Sequence, residues 1–180
     1  MRKYILTLIT VFTVSILLLC GCSGSGERLS LEEYKTASEA AFKGWITAAT
    51  DWADFAGKNI MNDDRNTEFG NICKNRDALE QKLLKAEAAL DELDKLGSPP
   101  VEYDELHKKL KNGVSIEREW LKIQREMINA QTVEQYSGIC EKAETFFDKY
   151  DSSLDNPETL PAVYVAMVRK WNSAQSGVSQ

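Results

Sequence analysis

Residues 79–114 read LEQKLLKAEAALDELDKLGSPPVEYDELHKKLKNGV, and they decide the fold class. Upstream of the glycine, Leu79, Leu83, Ala86, Leu90 and Leu93 recur by three and four, the spacing of one helix face. Downstream of the prolines, Tyr103, Leu106, Leu110 and Val114 do the same. Gly97-Ser98-Pro99-Pro100 between them stops the first helix and enforces a turn, because proline cannot donate the next helical hydrogen bond. Two amphipathic helices joined this tightly form an antiparallel hairpin.

The pattern extends both ways. Backwards, Phe69, Ile72 and Cys73 continue the stripe, so a second helix is expected over about 66–96. Asn62-Asp63-Asp64-Arg65-Asn66 is a polar break. Before it, Leu31, Tyr34, Ala41, Trp45, Ala48, Trp52 and Phe55 mark a first helix over about 30–60. Ser30 is placed to cap it, with Glu33 completing a capping box. Forwards, Trp120, Ile123 and Met127 carry the third helix on, and Asn112-Gly113 is a point where it is expected to bend. Thr132 and Gln135 announce a fourth helix whose stripe is Val133, Tyr136, Cys140, Ala143, Phe147 and Tyr150. Leu160, Tyr164, Met167 and Trp171 suit a short C-terminal helix with Pro161 in its first turn. The expected fold is therefore all-α: an antiparallel bundle of four main helices, with the domain spanning residues 30–172 and a frayed tail at 173–180.

The first 21 residues have a different character. Arg2 and Lys3 precede an apolar run from Tyr4 to Leu19, the n-region and h-region of an export signal. No cluster of Lys or Arg follows it to stop transfer. The run ends in Leu19-Cys20-Gly21-Cys22, which resembles the lipobox of bacterial lipoproteins. In that family a small residue precedes a cysteine whose thiol receives diacylglycerol, and the leader is cut just before it. Gly21 and Leu19 place Cys22 at the acylated position. Cys20 departs from the Ala, Ser or Thr usual at its place. The resemblance implies a signal peptide at 1–21, a lipidated Cys22, a Ser/Gly tether through residue 29, and an extracytoplasmic domain held on the cell membrane or outer membrane. Two or three acyl chains anchor stably where one does not.

Removing the leader takes away Arg2 and Lys3, so 22 basic residues become 20 against 28 acidic ones, a charge of −8. That balance, with no basic patch interleaved with aromatics, excludes nucleic acid as a partner.

Few residues suggest chemistry. An exported domain admits a disulfide between Cys73 and Cys140, provided the second and fourth helices touch; the alternative is two free thiols acting as small hydrophobes. Neither reading gives a redox motif. His107 is the single histidine and reads as a half-buried side chain hydrogen-bonded to a neighbour; no zinc-ligand set surrounds it in sequence. Asn62, Asp64 and Asn66 imitate the start of a calcium loop, but Thr67 stands where the turn glycine belongs and Cys73 where the closing glutamate belongs. No catalytic set, cofactor or metal site is expected. Trp45, Trp52, Trp120 and Trp171 read first as core and second as walls of an interhelical groove for an apolar ligand. Pro99-Pro100-x-x-Tyr103-x-x-Leu106-His107-x-x-Leu110 resembles a helix opening in several small exported helical bacterial domains, and implies no activity. The expected function is a non-catalytic envelope lipoprotein that binds another envelope protein through a helical surface, with an apolar-ligand carrier as the alternative.

Overall fold

A computed structural model describes residues 28–150 and 156–176. Cys22 and the leader lie outside the described residues. The described residues form an all-α bundle of five helices: α1 (Leu31–Asn59), α2 (Arg65–Asp94), α3 (Asp104–Asn129), α4 (Val133–Lys149) and α5 (Leu160–Ser176). A single 3₁₀ turn, Val101–Tyr103, leads into α3.

The helix starts follow from local chemistry. Ser30 Oγ accepts from the Glu33 amide while Glu33 Oε2 accepts from the Ser30 amide, a complete capping box. The Ser30 hydroxyl and the Ser30 amide both donate to the Glu33 carboxylate, which favours its ionised form and lowers its pKa. Asp64, inside the calcium-like stretch, is the N-cap of α2 and accepts from the Thr67 amide at 2.8 Å. Thr132 caps α4 by accepting from the Gln135 amide, but the Gln135 side chain accepts from Gln131 rather than from Thr132, so that box is shifted by one residue.

The long helices alternate in direction. Asp51 of α1 meets Lys82 of α2 at 2.8 Å, and Asp91 of α2 meets Arg118 of α3 at 2.8 Å. Tyr34, Phe42, Leu83, Leu90, Leu93, Leu110 and Met167 form the driest part of the core. Burying a side chain of this size contributes about 1.5–3 kcal/mol.

The two 17-residue helices divide the length of α3 between them. Ile139, Ala143, Phe146 and Tyr150 of α4 pack on Ile116, Trp120, Ile123 and Met127. The start of α5 packs on Gly113. Further along α5, Lys170 donates to the Glu102 carbonyl and lies 4.5 Å above the Tyr103 ring. Helix α5 continues past Trp171 to Ser176.

Gly113 does not interrupt α3, which runs unbroken from Asp104 to Asn129. Its meaning is close packing: a Cβ there would stand 3.0 Å from Leu160 Cδ2 and 3.1 Å from the Glu158 carbonyl oxygen. Gly97 has a related reason, since a Cβ would meet Leu29 Cδ1 at 3.2 Å.

The cysteines require a correction. Cys73 and Cys140 are free thiols, Cys73 exposed and Cys140 half-buried. Helices α2 and α4 do touch, but in a register that separates the sulfurs. Tyr136 stacks on Phe69 at 5.9 Å and Glu144 pairs with Arg65 at 3.1 Å. Cys140, between Tyr136 and Glu144 on α4, therefore faces the first turn of α2. Cys73 sits a turn beyond Phe69, on the solvent side.

Candidate functional site

Three places carry features that packing alone does not explain. The first is a groove of ≈ 290 Å³ between α1 and α5, lined by Trp45, Ile46, Ala49 and Thr50 on one side and Pro161, Tyr164 and Val165 on the other. Phe42 joins the two helices beneath it, stacking on Tyr164 at 4.8 Å. None of the lining side chains is charged. Ile46 is 40% exposed, although its apolar area would favour burial. The first half of α5, Leu160 to Val168, carries no charged side chain and is apolar on every side. Packing on α3 buries Leu160, Val163 and Met167 on one side of it and leaves Pro161, Tyr164 and Val165 only partly buried.

The second place is the middle of the bundle. Gln124 on α3 is 5% exposed. Its hydrogen-bonding surroundings fix the amide orientation: Oε1 accepts from Trp120 Nε1 at 2.8 Å and from Trp52 Nε1 at 3.0 Å. One buried acceptor thus serves two indole donors from different helices. Two turns earlier on the same helix, Glu117 is partly buried. Burial pushes its carboxyl up to about 7.

The third place is the end of the bundle where the described chain begins. Tyr34 on α1 is fully buried, and its hydroxyl shares a 3.0 Å hydrogen bond with His107 Nδ1 on α3. Tyr103 packs beside Tyr34 at 5.9 Å. Burial pushes the Tyr34 phenol up to about 12, so it keeps its proton. Burial also lowers the His107 pKa, assisted by Lys111 and opposed by Asp104. The hydroxyls of Ser38 and Tyr103 are buried without a well-formed hydrogen bond. Outside this cluster Arg28 forks onto Asp104 at 2.5 and 3.0 Å and donates to the Pro99 carbonyl at 2.8 Å, while the Leu29 amide donates to the Ser98 carbonyl at 2.9 Å.

The four tryptophans, read first as core and second as walls of a shared groove, are dispersed. Trp45 lines the α1/α5 groove, Trp52 and Trp120 meet at Gln124, and Trp171 is 2% exposed in the core. They form no common aromatic cavity among the described residues. His107 stands where the sequence reading put it, half-buried and bonded to a neighbour. Among the described residues no three His, Cys, Asp or Glu side chains gather as a metal site, and no helix is long and apolar enough to cross a membrane. Sequence reasoning missed Gln124, Tyr34 and the α5 side of the groove. Only the last had a signal, the unbroken apolar run from Leu160 to Val168.

Comparison with protein-family models, with curated proteins and with solved structures finds no match to this chain.

Proposed function

We propose that this chain is a non-catalytic lipoprotein of the bacterial cell envelope, tethered through acylated Cys22, which docks an apolar helical segment of another envelope protein in the α1/α5 groove. One observation carries the docking reading: a groove with no charged lining residue, with Ile46 left exposed at its edge. An uncovered apolar face of this kind is the geometry that takes an amphipathic helix. The lipobox-like Leu19-Cys20-Gly21-Cys22 supports the anchor. The charge of −8 after cleavage directs the domain away from anionic headgroups and toward protein as its partner.

The reading is tested in two steps. Mass spectrometry of the purified chain should find an amino-terminal Cys22 bearing diacylglycerol, and Cys22→Ser should release the protein from membranes. An intact leader, or an unmodified Cys22 at the mature terminus, rejects the anchor. A photo-cross-linker placed at Thr50 should then trap one saturable partner in native membranes. Ile46→Glu, on the exposed edge, should abolish that adduct while leaving the thermal midpoint unchanged. Persistence of the adduct in the folded variant rejects the groove as the docking site.

A further inference from the structure

We propose that the Tyr34–His107 hydrogen bond is an acid-sensitive latch, which holds the start of α1 to α3 and opens when His107 takes up a proton. The bond spans two helices at 3.0 Å, and it sits at the end of the bundle where the chain enters the domain. The phenol is assigned as the donor to Nδ1 of the neutral ring, which leaves Nε2 with the imidazole proton; the other tautomer would reverse the bond. A protonated imidazole has a hydrogen on both nitrogens and cannot accept. The phenol must then turn its proton elsewhere. Ser38 Oγ, buried a turn along α1 without a well-formed hydrogen bond of its own, is the acceptor in the right region.

The rearranged bond does not remove the charge problem. Asp104, one turn before His107, is already forked by Arg28. Lys111, one turn after it, adds a like charge and is itself bonded to Asp94 of α2, which also binds Arg118. From α5, Lys170 lies over Tyr103 and donates to the Glu102 carbonyl. From α1, the neutral Tyr34 faces the ring. The imidazolium thus enters a half-buried place with no carboxylate free to receive it, and opening into water relieves that cost.

The sign follows from linkage. The folded-state affinity of His107 for its proton is depressed relative to the ordinary value of 6.5. The latch is therefore at full strength above pH 6.5 and weakens as pH falls below it. At one unit below 6.5 the added opening is limited to about tenfold, the value reached when the closed state takes up no proton at all.

The test uses the full chain in detergent micelles and does not depend on acylation or on any partner. His107 is the only histidine, so its imidazole carbon signal titrates without overlap from another. Its midpoint is expected below 6.5. Amide exchange at Tyr34–Ser38, corrected for intrinsic rates, should accelerate between pH 7.5 and 5.5, and amides around Leu83 in α2 should accelerate less. His107→Asn, which cannot titrate in this range, should abolish the acid-driven difference. Tyr34→Phe should raise exchange at the start of α1 already at pH 7.5. An imidazole midpoint at or above 6.5 overturns the proposal, as does acid-driven opening that persists in His107→Asn.

Discussion

Helix α3 carries two buried polar arrangements, at Gln124 and at His107, and they are built on opposite rules. At Gln124 a single amide oxygen answers two indole donors, and neither Gln124 nor the two tryptophans titrate. At His107 one hydrogen bond couples a titratable ring to a buried phenol, while the Ser38 and Tyr103 hydroxyls nearby make no well-formed hydrogen bond. The first arrangement fixes how α1 and α3 pack whatever the pH, because breaking it orphans donors in a poorly solvated place. The second holds the same two helices more weakly and depends on protonation. The contrast shows that buried polarity does not have one effect: its consequence is set by whether every group is answered and whether any of them titrates.

The sharpest way to break the comparison is Gln124→Leu. It keeps the side-chain volume and removes the shared acceptor, so both indole N–H groups lose their partner. Urea unfolding should record a loss of about 2–3 kcal/mol. A loss below half of that lower figure would mean the indoles find other acceptors and that Gln124 is not what ties α1 to α3.

Glu117→Gln should come next, and in the opposite direction. The carboxyl is raised from 4.5 to about 7 by burial, so the neutral form suits the fold. Its ionisation begins to weaken the fold above pH 4.5, and the full cost is present above pH 7. Removing the charge should therefore stabilise the domain at pH 8 by about 2 kcal/mol and leave it almost unchanged at pH 4. His107 has the reverse slope. Between pH 4.5 and 6.5 the two contributions oppose each other, so Glu117→Gln should expose the rise with pH set by His107, and His107→Asn the fall with pH set by Glu117.

Gly113→Ala tests whether α5 steadies the histidine end. The new methyl would press on Leu160 and the Glu158 carbonyl, and a loss of about 1–2 kcal/mol is expected from overpacking. Exchange should rise mainly in α5. Tyr34→Phe should give the smallest change at pH 7.5, about 0.5–1 kcal/mol, since the His107 nitrogen it leaves is half-exposed and can bind water.

Much of the fold was legible because its signals are local. Ser30 with Glu33, Thr132 ahead of α4, and Pro99-Pro100 ahead of α3 each act within one turn of themselves, and each sits where its chemistry places it. What failed were the statements that needed register between distant helices. The sequence admits a bridge between Cys73 and Cys140 if their helices touch; they do touch, but the packing of Tyr136 on Phe69 sets the two thiols apart. The tryptophans share the helical spacing of core residues, and that spacing does not say which of them meet. Gln124 was silent for a related reason: a lone glutamine on a helix reads as solvated until its partners on other helices are known. Gly113 was read as flexibility and proved to be contact, because a sequence shows the missing side chain and not what occupies the space.

The fork from Arg28 to Asp104 and the Leu29 amide bond to Ser98 strap the incoming chain across the α2–α3 turn before α1 begins. Any tension applied from the amino-terminal side is delivered first to that strap. The strap draws on the α2–α3 turn, which is stiffened by Pro99 and Pro100, so the load is shared among three helices. A pull that would otherwise peel one helix off the end of the bundle must first tear out a bidentate ion pair and a backbone bond together.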